Sequence, residues 1–356
     1  MAGYHLTISS IGLKDSYKYR KEAEMKRIFW VFLFLSLSFF GCKKEPAGSE
    51  QLTKIKSVEP AGKKLRFVFI PKAITIPVFN YAKVGAEEMA RRLGNVEIIW
   101  RGPETIDPIK QKEILDSFIA QRVDGIAISC LNSNLLTPSI NKAVDMGIPV
   151  VTWDSDAPKS KRIAFYGVND FETGQIMGEE LVKLLGGKGK IAILTTLGAD
   201  NLERRLAGAM DILKREPGIE IVETFDCKDD FLVAKQIMEV ASKKYTDLGG
   251  WLSVGGWPVF NENTLDPVDT NRIKVVSFDT IPPAPEIMKK GKAHLLIGQK
   301  YFGWGARPTQ ILYDIVVNHK YPENPMVFSG VDIVTQENVA SYMEKWKQME
   351  RGEIFE

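Results

Sequence analysis

From Leu65 onward, short unbroken apolar runs alternate with longer stretches in which apolar residues recur every three or four positions. The short runs, rich in Val, Ile and Phe, predict strands at 65–70, 96–100, 124–129 and 149–153. A second series is expected at 190–195, 219–225, 249–254, 273–278 and 294–298. Runs with so little polar alternation suit a parallel sheet, because helices cover both of its faces. Between the strands, Ile109, Ile114, Leu115 and Phe118 keep helical spacing, and helices are expected near 171–185, 201–214, 232–243, 282–290 and 303–317. Strand and helix in alternation predict an α/β fold of doubly wound parallel sheets. So many strands usually split between two sheets, and a chain of 356 residues has room for two lobes.

The strands end in polar residues. Val150-Val151-Thr152-Trp153 runs straight into Asp154-Ser155-Asp156. A carboxylate at the carboxyl end of a buried strand cannot sit there dry and alone, so a ligand or a cation is expected to meet it. The same position recurs along the chain. Strand 65–70 runs into Pro71-Lys72 and then Phe79; strand 190–195 runs into Asp200-Asn201, with Arg204 and Arg205 following. Strand 249–254 runs into Gly255-Gly256-Trp257, strand 273–278 into Asp279-Thr280, and strand 294–298 into Gln299. Taken singly, each of these residues is an ordinary turn or cap group. Together they suit a neutral, polyhydroxylated ligand. Carboxylates accept paired hydroxyls, cations and amides donate, and rings stack on C–H faces.

The first forty residues differ from the rest. Lys26-Arg27 precede an uncharged run from Ile28 to Phe40, and Gly41-Cys42 follows at once. The run is short for a bilayer span but matches the apolar core of a signal peptide. A small residue before Cys resembles the bacterial lipoprotein signal, in which the Cys thiol is acylated and becomes the mature N-terminus. That signal usually has Leu three residues before the Cys, where this chain has Phe39. Residues 1–41 therefore read as a leader, with Met25 a plausible true start, and residues 42–63 as a polar tether. Removing the leader takes the net charge from +2 to 41 − 42 = −1, so no basic surplus remains to attract nucleic acid. With Cys42 taken by the lipid, two cysteines remain, Cys130 and Cys227, too few for a disulfide framework.

Catalytic signatures are missing. No Gly-x-Ser-x-Gly elbow is present, and His5, His294 and His319 hold no metal-ligand spacing. Gly186-Gly187-Lys188-Gly189-Lys190 lies after a helix and before a strand, the reverse of a phosphate loop, and reads as a turn. Neither a metal nor a cofactor is expected, and no enzymatic activity.

Phe67-Val68-Phe69-Ile70-Pro71-Lys72, Pro77-Val78-Phe79 and Gly85-Ala86-Glu87-Glu88 resemble the opening of type I periplasmic sugar-binding proteins. Asp124-Gly125-Ile126-Ala127-Ile128-Ser129, Gly147-Ile148-Pro149-Val150-Val151 and Val276-Ser277-Phe278-Asp279-Thr280 continue the series in order. The likeness runs over roughly 64–345. Ile70-Pro71-Lys72 with Thr152-Trp153-Asp154-Ser155-Asp156 is most similar to the rhamnose and autoinducer-2 receptor branch. The resemblance implies two lobes joined by three crossovers: 64–167 plus 300–328, and 168–299 plus 329–356. It implies ligand contacts at Lys72, Phe79, Asp154, Asp156, Asn201, Asp279 and Gln299. To these the strand-end pattern adds Arg204 and Trp257. The family often carries an Asn-Asp pair where this chain has Gly255-Gly256, and a helix where it has Pro258 to Asn271. The expected role is a monomeric lipoprotein of the cell envelope, tethered to the membrane through Cys42, that delivers a sugar to ABC permease subunits. A sensory receptor and a secreted α/β enzyme are the alternatives. A repressor would need a DNA-binding helix-turn-helix, and none precedes residue 64.

Overall fold

The computed structural model describes Gly62 and residues 64–356; the leader, Cys42 and the tether, apart from Gly62, lie outside them. In chain order the elements begin with β1 (Leu65–Ile70), α1 (Val78–Leu93), β2 (Val96–Trp100), α2 (Pro108–Ala120), β3 (Gly125–Ile128), α3 (Ser133–Asp145), β4 (Val150–Trp153) and β5 (Ala164–Gly167). There follow α4 (Asp170–Leu184), β6 (Gly189–Thr195), α5 (Asp200–Leu213), β7 (Ile219–Asp226), α6 (Phe231–Lys244), β8 (Leu248–Ser253), β9 (Lys274–Phe278), α7 (Ala284–Lys289) and β10 (Leu295–Gly298). The chain then returns through α8 (Gly303–Asn318) and β11 (Met326–Phe328), and finishes with β12 (Asp332–Val334) and α9 (Val339–Glu350).

Two six-stranded sheets result, ordered β11-β5-β4-β3-β1-β2 and β12-β10-β9-β8-β6-β7. Read position by position they are the same arrangement twice. Thus β1 matches β6, and β4 matches β9. The first sheet is parallel throughout; in the second, β12 joins β10 antiparallel. Three connections cross between the sheets, from β5 to α4, from β10 to α8, and from β11 to β12.

Local chemistry sets the element ends. Asp107, Asn132, Asn169 and Asp230 cap α2, α3, α4 and α6 by accepting backbone N–H bonds from the first turn. Between α4 and β6, Gly186 and Gly187 take left-handed φ values of 64° and 79°, as the turn reading expects. The stretch after β8 holds one 3₁₀ turn, Trp257–Val259, and no α-helix before β9.

Helix pairs pack against each sheet at very short range. A Cβ on Gly305 of α8 would lie 1.8 Å from the Ala82 carbonyl oxygen of α1. In the second lobe, a Cβ on Gly208 of α5 would lie 1.9 Å from the Phe171 carbonyl oxygen of α4. Only glycine permits either approach, and the second crossing holds α5 where its first two turns face the first lobe. Helix α9 packs on α7, yet its Trp346 ring meets Tyr81 of α1 edge-on at 4.8 Å.

Candidate functional site

The carboxyl ends of the two sheets face each other, and the loops that leave them enclose a cavity of about 280 Å³. Lys72, Phe79, Asp154, Asn201, Trp257, Asp279 and Gln299 all line it.

Asp154 and Asp279 occupy matching places, each directly after the fourth strand counted from the β2 or β7 edge. Both backbones are left-handed, with φ of 58° and 70°. Such a conformation is uncommon outside glycine, although Asp and Asn tolerate it best. Each N–H still bonds to the neighbouring strand, Asp154 to the Tyr166 carbonyl (3.1 Å) and Asp279 to the Ile297 carbonyl (2.8 Å). The pleat is thus broken at one residue, and the carboxylate turns off the sheet end into the cleft.

Asp154 is 4% exposed. Its Oδ2 accepts from Ser129 Oγ (2.6 Å) and pairs with Lys72 Nζ (3.1 Å). Lys72 also donates to Asn201 Oδ1 at 2.9 Å, and because β1 and α5 belong to different lobes, that bond spans the cleft. A second bridge runs from the Ser133 N–H to Asp200 Oδ2 (3.0 Å). On the far side, Asp279 Oδ1 accepts from Tyr301 Oη (3.0 Å) and Gln299 Nε2 (3.4 Å). Burial pushes the Asp279 carboxyl up to about 6, against the pull of the nearby Arg205 guanidinium.

Aromatic rings form the walls. Phe79 stands edge-on to Trp153 at 5.3 Å and lies 6.1 Å from Trp304, which also lines the cavity. On the second lobe the Trp257 ring folds over Gly255, where a Cβ would come within 2.6 Å of it.

Asp156 and Arg204 are not brought to this cavity. Both line a separate cleft of about 500 Å³ beside the crossover from β5 to α4. Asp156 lies in an isolated loop after Asp154, and Arg162 takes both its oxygens at 2.7 Å. Its charge is neutralised locally. Arg204 points outward from α5 and is exposed, while its neighbour Arg205 is buried and lines the central cavity. Arg205 donates to the Val254 carbonyl (2.6 Å) and to Asp170 Oδ1 (2.7 Å), with its guanidinium 3.4 Å above the Phe278 ring. Burial raises the Asp170 carboxyl to about 6 despite this pairing. Sequence reasoning could have chosen Arg205. It stands four residues after Asn201, on the same helix face, whereas Arg204 is turned about 100° away.

Three buried polar atoms of the lining have no partner among the described residues: Gln299 Oε1, Trp304 Nε1 and Arg205 Nε. Buried polar groups are nearly always bonded, so these three atoms are exceptions in the wall of the cavity. No cluster of three or more metal-ligating side chains occurs among the described residues. Cys130 and Cys227 are both free and buried there, and burial raises both thiols, so neither resembles an activated nucleophile.

Known proteins share this fold. The sequence profile of a periplasmic binding protein domain matches residues 67–320. The ribose import binding protein of Bacillus subtilis is 24% identical over 306 residues, 83% of this chain and 95% of its own length. The xylose/arabinose-binding protein of Sulfolobus acidocaldarius is 22% identical over 298 residues, 78% of this chain and 73% of its own. The crystal structure of an ABC transporter solute-binding protein from Burkholderia graminis, in complex with D-arabinose, is 29% identical to this chain. It matches with a TM-score of 0.74 over 79% of this chain and 98% of the other.

Proposed function

This chain belongs to the periplasmic binding protein family, and we propose that it captures one monosaccharide-sized polyol between its lobes. It is a solute-binding protein of the ABC-importer class, extracytoplasmic and not an enzyme. The ligand is held by Asp154 and Lys72 from the first lobe and by Asn201, Arg205, Asp279 and Gln299 from the second. Phe79, Trp257 and Trp304 supply ring faces and edges. Binding energy is spent on favouring the closed arrangement of the lobes, in which the importer recognises the protein. The observation that carries the reading is the convergence of acceptors, donors and rings from both lobes on one cavity. The relatives' ligands, arabinose, ribose and xylose, are small polyols of that kind.

Protein purified without added ligand, then denatured and analysed by mass spectrometry, is expected to release a stoichiometric polyol. Thermal-shift screening of the emptied protein against pentoses, hexoses and cyclitols should then find a stabilising member. A panel with no stabilising member would overturn the sugar-binding reading.

The anchor is a separate proposal. Cys42 takes the lipid, supported by the uncharged run that ends at Gly41. Metabolic labelling with a palmitate analogue should mark the wild type and leave Cys42→Ser unmarked; equal labelling of the two would contradict it.

A further inference from the structure

We propose that the preferred ligand is a polyol bearing a protonated amino group, and that Asp229, held in place by Trp257, is the carboxylate that reads it. This rests on the sugar-binding reading above and narrows its ligand class.

Asp229 lies beyond β7, at the edge of the second sheet, where no strand-end pattern pointed to it. Lys228 and Asp229 are consecutive left-handed residues, each with φ of 57°. This double reversal swings the Asp229 carboxylate back to the cavity, which it lines. Its N–H donates to Thr196 Oγ1 (2.8 Å), and Trp257 Nε1 donates to its Oδ1 (2.7 Å). Its Oδ2 has no donor among the described residues. Both partners are specific to this loop arrangement. Gly255 leaves room for the Trp257 ring, and a Cβ on Gly256 would lie 2.3 Å from Phe260 and 2.8 Å from the Asp279 Cβ.

Charge distinguishes the ligand class. The cavity is lined by Asp154, Asp229 and Asp279, against Lys72 and Arg205. Lys72 pairs with Asp154 at 3.1 Å and Arg205 with Asp170 at 2.7 Å. Asp279 has the Arg205 guanidinium nearby as well as a phenol and an amide donor, whereas Asp229 is left with an indole N–H only. A neutral sugar can offer Asp229 a hydroxyl but leaves its negative charge buried without a countercharge, which is costly. An ammonium supplies the missing countercharge and makes the stronger, charge-assisted bonds. Asp279 already accepts from two side chains. Asp229 accepts from one and keeps an oxygen facing the cavity, so the ammonium is placed there.

Calorimetric titration of the ligand-free protein at neutral pH tests this. Each amino sugar is compared with its parent and with its uncharged N-acetyl derivative: galactosamine, glucosamine and an inosamine against galactose, glucose and inositol. For at least one pair, the amino member should bind tenfold or more tighter than the parent. Asp229→Asn keeps an oxygen for Trp257 and tolerates the left-handed φ. It should abolish that preference, the affinity for the amino sugar falling at least tenfold more than that for its neutral parent. Neutral sugars binding as well as, or better than, their amino counterparts would overturn this inference and leave the sugar reading standing. So would a preference that survives Asp229→Asn. Binding by neither series would overturn both.

Discussion

Asp154 and Asp279 are each placed by one left-handed residue at the end of a buried strand. The strain makes sense only if the carboxylates face something that bonds them. Bonds to a charged acceptor contribute about 1.5–3 kcal/mol each. Removing the two that Asp154 offers a diol should therefore weaken binding about a hundredfold or more, at ~1.4 kcal/mol per decade. Asp154→Asn keeps the shape and the left-handed backbone but exchanges an acceptor for a donor, so its affinity should collapse in calorimetric titration. If instead its affinity stays near wild type while its ligand-free melting temperature falls, Asp154 is only a partner for Lys72. Asp279 makes a prediction about pH. Its carboxyl is held at about 6 by burial, against about 3.9 in an unfolded chain. The neutral form is the one the fold favours. Its stabilising contribution is fully present below pH ~4 and is lost as the pH rises through about 6, a difference of roughly 2–3 kcal/mol. Ligand-free Asp279→Asn should therefore melt like the wild type near pH 4 and above it at pH 7, while binding poorly. A melting difference independent of pH would contradict the assignment. That Asp154, Asp279, Lys72 and Gln299 line the cavity was legible in the sequence, because a polar residue that ends a buried strand has few places to go. Asp156 and Arg204 were not placed by that rule. A carboxylate two residues further on can turn to a local arginine, and adjacent helix residues face different ways. Asp229 left no signal at all, since its aim depends on two successive backbone reversals.

At the scale of elements, the helices that carry the site are fixed by glycine contacts. A Cβ on Gly174 of α4 would lie 1.9 Å from the Arg205 carbonyl oxygen, on the helix that brings Asn201 and Arg205 to the cleft. Gly174→Ala should push α5 away. The expected result is a loss of a few kcal/mol in stability, the usual range for overpacking a tight contact. Affinity should fall along with it, although residue 174 lines no part of the cavity. Unchanged melting and titration curves would show that the crossing is looser than described. β1 to β4 and β6 to β10 were legible from their apolar runs. β5, β11 and β12, of four, three and three residues, were not. A three-residue segment carries no measurable periodicity, and β11 and β12 gain their strand character from the sheet edges they join. The helix missing after β8 was legible, because a stretch rich in Pro, Asn and Asp resists helix formation.

At the scale of the whole molecule, two copies of one sheet order enclose a cleft, and three crossovers connect them. Gly330, with φ of 68°, lies in the last of these, between β11 and β12. Away from the cleft, α9 leaves the second lobe and the chain continues onto the first. Glu356 Oε1 accepts there from Tyr166 Oη (2.8 Å) and Arg307 Nε (2.7 Å). The bonds across the cleft, Lys72 to Asn201 and Ser133 to Asp200, are those of a closed arrangement, and opening must break them. Both involve side chains that line the central cavity or flank it, so a ligand that orders the cavity also orders the bridge. Repetition of the sheet was foreseeable from the two strand series. The bridging bonds were not, because they depend on how far the lobes have turned toward each other. The central claim is that a sugar-like ligand draws the lobes together around itself. Small-angle X-ray scattering of the protein, emptied of ligand and then saturated with the sugar that stabilises it, measures this directly. A smaller radius of gyration is expected on saturation; a radius unchanged at saturating ligand would rule out closure of the lobes on the ligand.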